Sequence, residues 1–148
     1  MAVLEKSKQD KIDELSNRSY EYYESGNKIK SYELMEQAWE TYPNPPENWN
    51  ESFNTAKYAF DDLLNDKVLD RASVWFERMT KIQNNLGLWD GLYQFYSGKL
   101  YFELGQFGKA KQMFEDSVKI GKGLRYFENE NPKYLDFYNN PENLIDNK

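Results

Sequence analysis

The chain has 148 residues, enough for one domain with a core of its own. Its 19 basic and 25 acidic residues leave a net charge of −6, which argues against a protein whose main task is gripping phosphate backbones. With no Cys and no His, disulfides, thiol nucleophiles, Ser-His-Asp and Cys-His catalysis and ordinary zinc sites are all excluded.

The apolar periodicity is helical almost throughout. Ile12, Leu15 and Tyr22 form a first stripe that Gly26-Asn27 ends, and Ile29, Tyr32, Met35, Ala38, Trp39 and Tyr42 form a second. Pro43-Asn-Pro-Pro46 cannot continue a helix and predicts a loop. A third stripe, Trp49, Phe53, Ala56, Phe60 and Leu63, ends near Asn65-Asp66. A fourth runs Val68, Leu69, Ala72, Trp75, Phe76, Met79 and Ile82, and stops at Asn84-Asn85 and Gly87. The fifth, Leu88 to Leu104, is apolar on more than one side and predicts a central helix closed by Gly105. The sixth carries Phe107, Ala110, Met113, Phe114, Val118 and Ile120, and stops at Gly121 and Gly123. Asn131-Pro132 then has the form of an N-cap followed by proline at the first helical position, opening a short helix through Tyr138. Asn139-Asn-Pro-Glu breaks it, and Leu144 to Lys148 is expected to fray. Three apolar residues before the first charges are too few for a signal-peptide core, and no window approaches the roughly 18 apolar residues of a membrane span, so a soluble cytoplasmic protein is expected.

Six helices in three antiparallel pairs invite a test for repeats. With Gly26 and Gly105 aligned, Ser19 falls on Gly98, Tyr22 on Tyr101, Ser31 on Ala110, Met35 on Phe114 and Ala38 on Ser117. Small residues recur where two helices would cross closely, and large apolar ones where a groove would be filled. The run Tyr93 to Phe114, with Gly98, Tyr101, Gly105, Phe107, Ala110 and Phe114, resembles the tetratricopeptide repeat family, and Pro43 fits that repeat's closing proline. The resemblance covers about residues 10 to 122. It implies an all-α fold, an α-solenoid of three such hairpins over about 12–45, 46–87 and 88–122 with a C-terminal capping helix in 123–148, as one domain over 1–148. The middle repeat is degenerate, and its loop around Asn65 to Asp70 is read as longer than usual.

Little in the chain points to chemistry. Neighbours on a helix sit about 100° apart, so Asp61 and Asp62 cannot share one proton; they read as a solvated helix end. Gly105-Gln-Phe-Gly108-Lys109 and Gly121-Lys-Gly123 lack the spacing and the preceding strand of a phosphate loop. Glu128-Asn-Glu-Asn131 does not follow the calcium-loop pattern, and Lys119, Lys122 and Arg125 suit a helix C-terminus. Catalysis would fall to carboxylates, Lys or Tyr alone, and no converging set is visible. No enzyme activity, cofactor or metal is expected.

The family's first helices line a concave groove, and the resemblance assigns that face to Tyr20, Tyr23 and Glu24 in the first repeat. In the second it assigns Phe53, Lys57, Phe60 and Asp61, and in the third Leu92, Phe95, Lys99, Phe102 and Glu103. An aromatic followed by an acid recurs as Tyr23-Glu24, Phe60-Asp61 and Phe102-Glu103, which suits a partner with basic and apolar side chains; core filling by Phe53, Phe60 and Phe102 fits equally well. The family's lysine and asparagine carboxylate clamp is missing, with Ser16 and Tyr20 at two of its positions, so chaperone tails are not expected ligands. The reading that follows is a non-catalytic protein-binding domain, and within it a bacterial immunity protein that blocks a basic toxin domain. A scaffold or assembly adaptor using the same groove is the alternative. Neither nucleic acid nor membrane is an expected partner, and monomer and dimer stay open.

Overall fold

The computed structural model describes residues 3–88 and 90–145. Among these the chain forms eight α-helices and no strand: α1 Lys6–Glu24, α2 Lys28–Thr41, α3 Ser52–Asn65, α4 Leu69–Leu86, α5 Leu92–Glu103, α6 Phe107–Gly121, α7 Pro132–Asn139 and α8 Glu142–Ile145. Helices α1 and α2, α3 and α4, and α5 and α6 pack closely as sequence neighbours, while α2 against α3 and α4 against α5 join one pair to the next. Among the described residues no helix is long and apolar enough to cross a membrane.

The three turns inside the pairs are built alike. Each has three residues, and the middle one adopts a left-handed conformation: Gly26 at φ 91°, Lys67 at φ 61° and Gly105 at φ 75°. In each turn the following amide closes back on the last helical turn, from Asn27 to the Tyr22 carbonyl, from Val68 to Leu63 and from Gln106 to Tyr101. The middle amides of Gly26, Lys67 and Gly105 bond to Tyr23, Leu64 and Phe102. This is the paired hydrogen-bond pattern that satisfies orphan carbonyls at a helix end. The connection at Asp66 to Val68 is therefore as short as the others, which corrects the expectation of a longer loop there. Lys67 takes the place of a glycine, and the additional residues lie between pairs, in 42–51 and 87–91.

Counting from these turn residues, the fifth position onward is Ser31, Ala72 and Ala110, and all three are fully buried. A small side chain there lets the two helix backbones approach. In the first pair each hydroxyl of Ser19 and Ser31 lies 2.8 Å from the other residue's carbonyl oxygen. In the third pair a Cβ on Gly98 would stand 2.6 Å from the Phe114 ring, so only glycine fits.

Local signals set the remaining ends. The Asn27 side chain accepts from the Lys30 amide and Asn131 from the Lys133 amide, the latter with Pro132 at the first helical position. Gly87, left-handed at φ 60°, ends α4. Four differences from expectation appear. α5 starts at Leu92, not Leu88, because left-handed Gly91 precedes it. α6 is closed by left-handed Lys122 rather than by a glycine. Ile29, placed in the second apolar stripe, is 71% exposed at the first turn of α2. A short helix, Glu142–Ile145, takes in Leu144 and Ile145, where fraying was expected over 144–148; residues 146–148 lie outside the described residues.

The core runs the length of the stack. Tyr32, Trp39, Phe60, Leu63, Trp75, Met79 and Ile82 form its centre. Ile12, Leu15, Leu34 and Tyr42 fill the N-terminal end, and Phe95, Phe114, Phe127, Tyr134 and Phe137 the C-terminal end. Residues Phe95 to Leu100 are buried in an unbroken run, because α4, α6 and the C-terminal segment all cover α5.

Candidate functional site

The helices that open each pair, α1, α3 and α5, meet at two junctions, and the two differ in what occupies them. At the α3/α5 junction the chain supplies its own occupant. The Lys99 ammonium is 2.6 Å from Asp61 Oδ1 and 2.8 Å from Glu130 Oε1, and Tyr96 donates to Asp61 at 3.2 Å. The Tyr96 ring lies 4.8 Å and the Tyr134 ring 5.7 Å from the same ammonium. One turn further along, Glu103 accepts from Lys67, from Lys133 and, at 3.1 Å, from Tyr134. Both clusters tie the segment 125–139 onto α5, and Phe102 stacks edge-on against Tyr134 and Phe137 above them.

The electrostatics follow from burial and pairing. Burial by itself would raise the Glu103 carboxyl, but its hydrogen bonds from Lys67 and Lys133 outweigh that and hold it below the usual range. Glu130 is raised, because burial outweighs its Lys99 contact. The hydroxyls of Tyr96 and Tyr134 are pushed well up, first by burial and then by the carboxylates beside them. A third stitch binds the first pair to the second: Asp66 accepts from Tyr32 and from Tyr23, with the Lys28 ammonium at 3.6 Å.

The α1/α3 junction is open. A cleft of about 550 Å³ lies between Asp13, Ser16 and Asn17 of α1 and Glu51, Asn54, Thr55 and Tyr58 at and along the start of α3, floored by Ile12 and Tyr42. A second chamber of about 460 Å³ shares Ser16, Asn17 and Tyr58 and continues to Tyr20, Met35 and Asp62. Together the two spaces are walled by Asp13, Glu51 and Asp62 and by Tyr20, Tyr42 and Tyr58, and among the described residues no lysine or arginine lines either. Tyr20 and Tyr58 are 66% and 59% exposed, large values for aromatic side chains. Asp62 is pushed up to about 7, first by burial and then by Asp61 and Asp66. Its description as part of a solvated helix end is thus corrected: Asp61 is ion-paired across the α3/α5 junction and Asp62 is a partly buried wall of the cleft.

The residues assigned to the groove divide accordingly. Tyr20 lines the open cleft and Glu24 is exposed nearby. Phe53, Phe60 and Phe95 are core residues and offer no surface to a partner; on α3 it is Thr55, Tyr58 and Asp62 that line the cleft, and Phe95 packs with Phe114 and Phe127. Lys57 is half-buried with its ammonium 4.9 Å from the Tyr58 ring. Tyr23 is held by Asp66, Leu92 packs on the central core, and Phe102 is half-buried under α7. Asp61, Lys99 and Glu103 are committed to internal ion pairs. Sequence reasoning missed Tyr58 and Asp62. The missing signal was the turn at Lys67: counted from it, Tyr58 holds the place of Tyr96 and Asp61 that of Tyr20. Comparison of the chain with protein-family models, with curated proteins and with solved structures finds no match.

Proposed function

We propose that this chain is a non-catalytic protein-binding helical repeat. In this reading it is an α-solenoid of three tetratricopeptide-like hairpins with α7 as its cap, and the α1/α3 cleft receives a polypeptide of the partner. One observation carries the reading. Successive junctions share a tyrosine position, and the chain's own C-terminal segment fills the α3/α5 junction while the α1/α3 junction stands open with its tyrosines exposed. Exposed aromatic rings beside polar walls are what an interface hot spot is made of.

The narrower proposal is a cytoplasmic immunity protein that seats this face on a basic toxin domain and blocks it sterically. The net charge of −6 and the acidic cleft would steer such a partner and speed its capture. The test is a pull-down from the native host at low and at high salt, with the wild-type chain and a Tyr20→Ala/Tyr58→Ala variant side by side. A protein retained by the wild type, released by salt and lost from the variant supports the reading. A partner retained equally by both chains removes the cleft from the account. Salt-indifferent retention removes the steering argument. A partner without toxin activity points to an assembly adaptor instead.

A further inference from the structure

We propose that the chamber between Tyr20, Tyr58 and Asp62 is a seat for a cationic side chain, a lysine or an arginine of the bound polypeptide. The inference rests on the protein-binding reading above and specifies what the cleft recognises.

The chain itself shows what this corner of the repeat does with a cation. Tyr96, nine residues before turn residue Gly105, stands with Asp61 around the Lys99 ammonium, the carboxylate at 2.6 Å and the ring at 4.8 Å. Tyr58, nine residues before turn residue Lys67, has the same place in the preceding pair, and Asp62 lines the same chamber. There no lysine or arginine of the described residues lines the chamber or pairs with Asp62. Asp61 and Asp66 have Lys99 and Lys28 within ion-pair distance, whereas Asp62 has no ion pair or hydrogen bond of its own among the described residues. The Tyr58 ring does attract an ammonium, that of the half-buried Lys57, 4.9 Å from its centroid, but Lys57 does not line the chamber. The space of about 460 Å³ shares Ser16, Asn17 and Tyr58 with that of about 550 Å³, so the two lie side by side, one for a side chain and the other for the backbone that carries it.

The charged groups around Asp62 come from three elements besides its own helix: Asp66 from the following turn, Glu24 from α1 and Lys28 from α2, together with Asp61 on α3. Three of these four are acidic, so a cation entering the chamber relieves repulsion as well as gaining a partner. Its affinity should rise as pH passes through about 7, where Asp62 ionises.

The probes are n-butylguanidinium and n-butylammonium, titrated into the ¹⁵N-labelled full chain and followed by amide chemical shifts, with butyrate and n-butanol as controls. Expected are shifts at Tyr20, Tyr58 and Asp62 with the cations alone. Asp62→Asn should weaken them about tenfold. Lys57→Met should strengthen them about twofold by removing the competing ammonium. Tyr58→Phe should keep binding and Tyr58→Leu lose it, since the ring face is what the cation meets. A dispersed amide spectrum certifies each variant as folded. Stronger binding of one cation over the other identifies the side chain. Shifts spread evenly over exposed acidic residues, or unchanged by Asp62→Asn, overturn the proposal, as does silence from both cations. If a partner is still captured through the cleft while the cations fail, protein binding stands and the cationic seat falls.

Discussion

Tyr58 and Tyr96 hold equivalent places in consecutive helix pairs and meet opposite surroundings: one is 59% exposed, the other 6%. The difference does not come from the turns of the pairs, which repeat together with the small buried residue five places after each. It comes from the segment 125–139, which folds back over α5 and brings Glu130, Lys133 and Tyr134 against it. Residues 125–139 thus cover the face of α5 that the paired helices alone would leave open. The corresponding residues of the first two pairs receive no such cover. The comparison also explains the carboxylates. Where a lysine arrives, Asp61 and Glu103 serve as structural acceptors; Asp62, without an ion pair, is driven toward neutrality by burial and then by Asp61 and Asp66.

The largest effect should come from emptying the filled junction. Lys99→Met leaves Asp61 and Glu130 facing each other, partly buried and without their cation, at a cost of about 3–5 kcal/mol. Urea denaturation should show that loss, and amide exchange within 125–139 should accelerate. A cost below about 1 kcal/mol would mean that the aromatic packing of Phe102, Tyr134 and Phe137 holds the segment without help from the ion pairs.

The open junction should respond with the opposite sign. Folding raises the Asp62 carboxyl from 3.8 to about 7, so the native state keeps a proton that the unfolded chain has released. That contribution is fully present below 3.8 and is lost as pH rises through about 7. Asp62→Asn should therefore be the more stable protein at about pH 8, by about 1–2 kcal/mol after allowance for partial solvent screening, and should converge with the wild type near about pH 4. Parallel urea midpoints across that range measure it. A wild type that is the more stable of the two at alkaline pH would show that Asp62 has an ionic partner.

Much of this contrast was written in the sequence, and its key was not. The helix ends at Gly26-Asn27, Gly87, Gly105 and Asn131-Pro132 were legible because they rest on local backbone chemistry that a residue type reveals directly. So was the buried character of α5, since apolar residues on every side leave a helix no solvent face. The turn at Lys67 was hidden because a lysine gives no sign of a left-handed conformation; only the hydrogen-bond pattern shows it. Losing that landmark rotated the assignment of α3, which placed Phe60 and Lys57 on the surface in place of Tyr58 and Asp62. The folding-back of 125–139 was illegible for another reason. Its contacts join residues about thirty apart through side chains, and no periodicity encodes such a meeting.

Inside the first pair the effects should be smaller. Ser31→Ala removes one hydroxyl from the buried crossing while Ser19 keeps the Ser31 carbonyl as its acceptor, so the loss should be about 1 kcal/mol. A loss of about 3 kcal/mol would mean that the two hydroxyls act as a unit that tolerates no gap.

The smallest change in stability should come from Tyr58→Ala, under about 0.5 kcal/mol, because the ring is mostly solvated and makes no hydrogen bond among the described residues. A residue in Tyr96's position that contributes so little to the fold is free for another use. The variant should therefore separate two quantities that move together elsewhere in the chain, keeping the urea midpoint of the wild type while losing the captured partner. If the midpoint fell with the binding, Tyr58 would belong to the core after all, and the two junctions would differ only in degree.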